Sequence, residues 1–268
     1  MVRFLSWNIN SVRLRLPLLE RLVKEYQPTI VCLQETKVQD SAFPLAAVQA
    51  LGFPYVHFRG EKSYNGVAIL SQHPFTPLAH FNYGQKEDAR HVAVSIEHGR
   101  LGLIAVHNLY IPAGGDIPDP HINPKFAHKL QFLSDLISWA KDVKASNMPT
   151  IMMGDLNIAP LEQDVWSHRQ LLNVVSHTPI ETEGLMELYH AGGWVDAHRY
   201  FVPPEQKLYS WWSYRNRDWR QSDRGRRLDH VWLTSHVVPM LQSSAILKDV
   251  RGWDSPSDHV PVIVDLKS

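Results

Sequence analysis

The sequence predicts an α/β fold built from two sheets with covering helices. Short apolar runs suited to strands are spread along all 268 residues. Helical periodicity is confined to a stretch after the first run, another near the middle and a third near residue 185. So many strands with so few helices cannot all be parallel βαβ units. No repeat, low-complexity run or linker-like segment divides the chain, so residues 1–268 are expected to form a single domain.

Residues 2–10 alternate and carry Phe4, Leu5, Trp7 and Ile9, a first strand ending in Asn8 and Asn10 on one face. Leu16, Leu19, Leu22 and Val23 at helical spacing place a helix over residues 14–25, stopped by Pro28. Residues 29–33 form the second strand, with Gln34-Glu35-Thr36-Lys37 at its end. Glu35 there reads either as a functional acid or as an acid opening a helix. Residues 43–51 suit a short helix, and residues 55–58 and 67–70 suit strands. Residues 91–96 and 101–107 alternate across the turn Glu97-His98-Gly99-Arg100 and run on to Asn108, Tyr110 and Pro112. A Tyr at such a strand end commonly leaves its hydroxyl in water.

Residues 113–124 are rich in Gly, Pro, Asp and His, a loop long enough to be functional. Phe132, Leu133, Leu136, Ile137 and Ala140 mark a helix over residues 126–143. Residues 151–153 then climb to Gly154-Asp155-Leu156-Asn157-Ile158-Ala159-Pro160. A short apolar run bounded by Pro and Gly suits a buried strand, and in extended backbone Asp155 and Asn157 point the same way. The competing reading of this segment is a strand followed by an Asx turn. Residues 161–183 read as polar loops with one helix, residues 184–191 as a helix, and residues 194–197 as a short segment bearing Asp196. Residues 228–233 and 260–266 return to strand.

Hydrophobic residues make up 44 % of the chain, charged residues 20 %, and nine are Trp, ample for a packed core and unlike a disordered chain. Formal net charge is zero, so affinity for a polyanion must come from a local patch. Residues 209–227 supply one: Tyr209, Trp211, Trp212, Tyr214 and Trp219 interleave with Arg215, Arg217, Arg220, Arg224, Arg226 and Arg227. This suits a groove that tracks phosphates and stacks on bases or sugars; the alternative is a solvated loop over an aromatic mini-core. The single cysteine, Cys32, excludes an internal disulfide and reads as a buried small hydrophobe in a reducing compartment. No stretch is long and apolar enough to span a bilayer, so a cytoplasmic protein without a membrane partner is expected.

Polar groups gather at the predicted strand ends: Asn8, Glu35, Tyr110, Asp155, Asn157, Asp229, Asp258 and His259. They are mainly carboxylates and amides. Hard oxygen donors select Mg²⁺ or Mn²⁺ over zinc. Such ions serve phosphoryl chemistry, and an Asp–His pair can hold an imidazole in one tautomer. Hydrolysis of a phosphate ester is the leading reading. No P-loop is present, which counts against a nucleotide kinase.

Six blocks occur in order: Ser6-Trp7-Asn8-Ile9-Asn10, Leu33-Gln34-Glu35-Thr36-Lys37, Asn108-Leu109-Tyr110-Ile111-Pro112, Gly154-Asp155-Leu156-Asn157-Ile158-Ala159-Pro160, Gly225-Arg226-Arg227-Leu228-Asp229 and Ser257-Asp258-His259. Together they resemble the signature blocks of the exonuclease III family of DNA repair nucleases and AP endonucleases. That family belongs to the endonuclease/exonuclease/phosphatase superfamily. The resemblance implies a four-layer α/β sandwich: two mixed β-sheets packed face to face, helices outside, the active site at one end. It implies a monomer that hydrolyses phosphodiesters of double-stranded DNA with Mg²⁺ or Mn²⁺ in base excision repair. The activities implied are 3′→5′ exonuclease and 3′-phosphatase at 3′ ends, and endonuclease at abasic sites.

The resemblance also implies roles. Glu35 is the principal metal ligand with Asn8 and Asp258 near it, and Asp155, Asn157 and His259 complete the surroundings of the ion. Asp155 orients or deprotonates the attacking water, and Asn157 donates to a phosphate oxygen. His259, held by Asp229, stabilises the phosphate's charge, and Tyr110 sits by the scissile phosphate or leaving oxygen. Whether Asp155 or His259 takes the proton, and whether one ion or two act, is left open. Trp211 and Leu228 fall at the walls of a pocket for the abasic sugar, with Arg226 where some relatives carry an aromatic. Ala113 replaces a frequent polar residue, and Asn10 stands where some relatives have Asp. Two other readings compete: a phosphodiesterase or phosphatase acting on phospholipid or inositol phosphates, and a DNA-binding module without catalysis.

Overall fold

The computed structural model describes residues 1–268. In chain order it runs β1 (Val2–Asn8), α1 (Val12–Tyr26), β2 (Ile30–Gln34), α2 (Leu45–Ala50), β3 (Tyr55–Arg59), β4 (Val67–Ser71), β5 (Phe75–Leu78), β6 (His91–His98), β7 (Gly102–Tyr110), α3 (Pro124–Ser146) and β8 (Thr150–Asp155). Then follow α4 (His168–Leu171), α5 (Pro179–Gly192), β9 (Val195–Asp196), β10 (Trp211–Trp212), α6 (Trp219–Ser222), β11 (Gly225–Arg226), β12 (Asp229–Leu233), β13 (Leu241–Ile246) and β14 (Val262–Leu266).

Two sheets of six strands result, ordered β13-β14-β1-β2-β4-β3 and β5-β6-β7-β8-β12-β9. Both are mixed. Only β1/β2 in the first and β7/β8 in the second are parallel; the other pairs are antiparallel. A hairpin of β10 and β11 stands apart.

Strand alternation builds four layers. Phe4, Cys32 and Ile69 face inward and meet Val94, Val106, Met153 and Val231 of the other sheet. Their neighbours Leu5, Trp7, Val31 and Leu70 face outward and pack on Leu19 and Leu22 of α1 and Val48 of α2. On the far side Leu109, Met152 and Trp232 pack on Phe132, Leu133 and Leu136 of α3 and Leu185 and Leu188 of α5. The expected four-layer sandwich is therefore the one observed, and Cys32 is wholly buried in its centre.

Near the site the sheets are joined by a buried amide. Asn108 Nδ2 donates to the Leu33 and Ala68 carbonyls, both at 2.9 Å, and its Oδ1 accepts from Gln34 Nε2 at 2.7 Å. Bonding a buried amide on every side fixes one register between apolar faces that could otherwise slide. Gly154 serves the same end of the core: at φ 144° it lies so close to β7 that a Cβ there would collide with the Leu109 carbonyl.

Several boundaries differ from the sequence reading. β1 ends at Asn8, and Asn10 follows at φ 48°, so the two asparagines do not share a strand face. β5 and β13 were not anticipated; Pro77 and the partly exposed Ser243, Ser244 and Ala245 hide these edge strands from a search for apolar alternation. The helix expected over residues 184–191 begins at Pro179, after a Thr178–Glu181 capping box.

Candidate active site

Glu35 follows the end of β2 in the left-handed region, φ 50°. It is not the first acid of a helix. Its carbonyl accepts from Ser11 N at 2.8 Å, and Thr36 and Lys37 donate to the carbonyls of Gly66 and Asn65 at 3.1 and 2.9 Å. These bonds hold the turn and aim the carboxylate across the sheet ends. There Oε1 accepts from Asn8 Nδ2 and from the Tyr110 hydroxyl, both at 2.9 Å, and Oε2 pairs with Lys37 Nζ at 2.7 Å. The Tyr110 hydroxyl is thus committed to Glu35 rather than to water.

Asp155 closes β8. Its Oδ2 accepts from Asn8 Nδ2 at 2.8 Å and from Asn157 Nδ2 at 3.2 Å, and its Oδ1 accepts from Asn157 N at 2.9 Å. Asn157 has φ 52°, so strand alternation is not what brings the pair together. The extended pair expected at Asp155 and Asn157 is thus replaced by the competing reading, a buried strand followed by an Asx turn. Asp229 opens β12 directly opposite Asp155. Its Oδ2 accepts from His259 Nδ1 at 2.8 Å and from Ser210 Oγ at 2.6 Å. His259 Nε2 then lies 3.6 Å from Asp155 Oδ2.

Glu35, Asn8, Asp155, Asn157, Tyr110, Asp229 and His259 therefore form one bonded constellation. Asp258 belongs to its rim, with its carboxylate oxygens accepting from Trp211 Nε1 at 2.9 Å and Asn10 Nδ2 at 3.2 Å.

Packing these charges out of water sets their protonation. Burial works against the Glu35 carboxylate, yet the Lys37 ammonium, the Asn8 amide and His259 together hold its pKa below the ordinary value. Burial pushes the Asp155 carboxyl up; His259 and Asn8 oppose the rise, and Asp229 and Glu35 add to it. Burial disfavours the charged His259 imidazole, but the Asp229 and Asp155 carboxylates outweigh it and raise the pKa to about 10. Burial, and then Glu35, raise Tyr110 well above the usual phenol value, so it stays a donor.

Asp155, Asp229 and His259 present ligand atoms within 4.8 Å of one another. Asp229 and His259, however, bond each other through those atoms, which makes them an orienting pair. The donors that suit a hard cation lie on the other side of Asp155. There Glu35 and Asp155 converge on the Asn8 amide with oxygen ligands only. Two carboxylates drawn together by one neutral amide fit a divalent cation, with Lys37 the nearest protein cation on Glu35.

The constellation forms the floor of a cleft of about 760 Å³, whose lining includes Glu35, Asn157, Asp258 and His259. Trp166, Trp211, Leu228, Arg215, Arg224 and Arg226 form its walls. The Arg/aromatic stretch divides between its two readings. Trp211 and Arg226 face the cleft, the guanidinium 5.3 Å from the ring centre, while Arg226 Nη1 donates to the Val175 carbonyl and Ser176 Oγ. Tyr209 and Trp212 instead pack with Val260 as a mini-core. Arg227 is buried in ion pairs with Asp164 and Asp196, so it takes no part in a groove.

Three contributors escaped the sequence reading. Ser210 Oγ ties the Leu228 and Asp229 backbone amides, each at 3.0 Å, to the Asp229 carboxylate. Trp166 stacks under Arg224 at 4.7 Å. Lys129, in the middle of α3, reaches the Asn157 carbonyl at 2.8 Å. A Trp in a polar loop was a usable signal for the second; the other two act through folds of the chain that no local pattern marks.

A four-layer α/β sandwich with hard-oxygen donors and an Asp–His pair at its sheet ends defines a hydrolase of phosphate esters. The chain belongs to the Endonuclease/Exonuclease/phosphatase family, whose model matches residues 5–259. It is 30 % identical to exodeoxyribonuclease III of Haemophilus influenzae over 273 residues, covering 99 % of this chain and 100 % of the relative. An AP endonuclease from Archaeoglobus fulgidus superposes with a TM-score of 0.90 at 28 % identity, both chains fully covered. A 3′ phosphatase, NExo, from Neisseria bound to a product DNA hairpin superposes with a TM-score of 0.88 at 27 % identity, again over all of both chains.

Proposed function

We propose that this protein is a metal-dependent DNA repair nuclease that hydrolyses phosphodiesters in double-stranded DNA, at 3′ ends and at abasic sites. The observation that carries the proposal is the bonded line Glu35–Asn8–Asp155 running on to His259 at the floor of a cleft walled by arginine and tryptophan. The relatives' names, exodeoxyribonuclease III and AP endonuclease, support the choice of DNA over other phosphate esters.

Mg²⁺ or Mn²⁺, held by Glu35 with Asp155 and Asn8 beside it, would polarise the phosphate and offset charge developing on its oxygens. The residues then divide the work by protonation state. The Asp229 and Asp155 carboxylates favour the charged His259 imidazole against the cost of burial, which suits it to donate to a phosphate oxygen. Asp155, raised by burial, is the group poised to accept a proton from the attacking water. It is held in place by Asn8 and Asn157. Asn157 Nδ2 also donates to the Ile111 carbonyl at 2.9 Å, which fixes the amide beside the cleft floor. Trp211 and Leu228 form an apolar wall for an unstacked sugar, and Arg215, Arg224 and Arg226 meet the DNA backbone.

No helix is long and apolar enough to cross a membrane, and the wall of guanidinium and indole suits a polynucleotide better than a lipid headgroup. We place the enzyme in the cytoplasm as a monomer. One preparation assayed with Mg²⁺ on an abasic duplex, a recessed 3′ end and a 3′-phosphate, beside a phosphoinositide, tests the reading. Cleavage of the DNA substrates that EDTA abolishes is expected. Turnover of the phosphoinositide alone, or tight DNA binding with no turnover at any metal concentration, overturns it.

A further inference from the structure

Behind the cleft lies a buried ion pair that the chemistry above does not use. Lys129 of α3 and Glu181 of α5 are both completely inaccessible to solvent, their charged atoms 2.5 Å apart. A buried pair of opposite charges needs every remaining donor and acceptor satisfied, and the partners here are the backbone of the cleft itself. Lys129 Nζ donates to the Asn157 carbonyl at 2.8 Å and to the Ala113 carbonyl at 3.2 Å. The Glu181 carboxylate accepts from Ser176 N with both oxygens at 2.9 Å, and from Thr178 Oγ1 at 2.6 Å. Asn157, Ala113 and Ser176 all line the cleft.

The contact with Asn157 has a conformational consequence. With φ at 52°, this residue turns its carbonyl into the protein, where Lys129 is the partner that meets it. A left-handed turn at a residue other than glycine persists only when its surroundings hold it. The site is shaped for the lysine stem: at Gly114, φ 92°, an added Cβ would come within 2.9 Å of Lys129 Cδ.

We propose that Lys129 and Glu181 are positioning residues: the pair holds the Asn157 turn so that its amide stays bonded to Asp155 at the cleft floor, and fixes the Ala113 and Ser176 walls in register with it. This deepens the nuclease reading and, for its kinetic test, rests on it. The test is the double variant Lys129→Met/Glu181→Gln, which keeps shape while removing both charges, assayed on a recessed 3′ end with Mg²⁺. The expected result is a fall in kcat of about 10- to 100-fold, with KM changed less than about threefold and the melting temperature within a few degrees of the parent.

In an Asn157→Ala background the same two substitutions lower kcat by less than about threefold, because the group they position is gone. Unchanged kcat in the double variant, or a loss that multiplies fully with Asn157→Ala, overturns the proposal. If the double variant fails to fold, Lys129→Met/Glu181→Leu, which likewise leaves no buried charge unpaired, is read the same way. If the parent cleaves no DNA at all, the functional reading fails, and NMR still decides this one. The side-chain amide resonances of Asn157 shift in the variant while the sheet amides stay fixed; an unmoved Asn157 signal overturns it.

Discussion

Asp229→Asn removes one negative charge from the inner end of the site with almost no change of shape. In the parent, Asp229 Oδ2 accepts from His259 Nδ1 at 2.8 Å and from Ser210 Oγ at 2.6 Å, fully out of solvent. The His259 pKa stands at about 10 against an ordinary 6.5, which at about 1.36 kcal/mol per pKa unit is roughly 5 kcal/mol favouring the imidazolium. Asp229 contributes more of this than Asp155 does. Neutralising it therefore costs the charged form about 2–3 kcal/mol, about two pKa units. This reaches roughly 30- to 150-fold in a step that needs a protonated His259 only at alkaline pH, where the parent keeps its proton and the variant does not. We expect kcat on a recessed 3′ end to change little at pH 7 and to fall towards that factor as pH approaches 10, with a small change in KM.

Stability follows a distinct pH course. A histidine whose folded pKa is raised contributes its full stabilisation below the unfolded value, and loses it as pH rises through the folded one. The gap in melting temperature between parent and Asp229→Asn should therefore be widest near pH 6 and close towards pH 10. Calorimetry across this range, with steady-state kinetics from pH 7 to 10, checks both. A variant within threefold of the parent near pH 10, or a melting-temperature gap that widens with pH, would refute the imidazolium role.

The remaining predictions test other parts of the site. Glu35→Ala should lower kcat by at least about 10³-fold while DNA affinity stays within a few fold, because a ligand to the cation is lost and the groove remains; the rise in melting temperature on adding Mg²⁺ should also disappear. Near-parental rates in saturating Mg²⁺ would argue against it. Trp211→Ala should reduce cleavage at abasic sites by about tenfold or more, the worth of one stacking surface, and leave plain 3′ ends less affected; equal loss on both substrates would remove the indole from the pocket. Arg227→Met removes the guanidinium that bridges the buried Asp164 and Asp196 carboxylates and leaves Asp164 only its pair with Arg199, at a cost of roughly 3–5 kcal/mol. Its melting temperature should fall by about 10 °C while kcat measured in the cold barely changes, and an unshifted melting curve would show that the three-residue network carries no stability.

Legibility in the sequence depended on where a residue sits relative to a strand. Phe4 and Val106 announced the inter-sheet core through alternation, Cys32 and Met153 through short unbroken apolar runs, and Asn8, Glu35, Tyr110 and Asp155 announced themselves as polar residues closing apolar runs. Residues that act through the backbone gave no such signal. Lys129 sits among ordinary amphipathic residues of α3, and nothing in its neighbourhood says that it faces Glu181 rather than water. Arg227 reads with the other arginines of residues 215–227 because it shares their stretch of sequence; only the fold places Asp164 and Asp196 around it. Charge in a sequence has a sign but no depth, and depth decides whether an arginine binds a phosphate or a core carboxylate.

The strand ends were informative for a directional reason. The two parallel pairs, β1/β2 and β7/β8, are the only strands in their sheets that run side by side in one direction, and all four end at the site, in Asn8, Gln34 before Glu35, Tyr110 and Asp155. Groups delivered at the carboxyl ends of neighbouring parallel strands must meet above the sheet. The strands running the other way supply the rest from their beginnings: Asp229 opens β12, and His259 precedes β14. Asp155 and Asp229 are direct cross-strand partners, so a slip of one residue between β8 and β12 would turn the Asp229 side chain to the opposite face and away from His259. The core residues Met153 and Val231, paired two positions further in, forbid that slip, because it would take Val231 out of the inter-sheet core and turn His230 or Trp232 into it. Catalytic alignment in this fold is thus a by-product of hydrophobic register, which is why a pattern of apolar residues could point to the acids at its end.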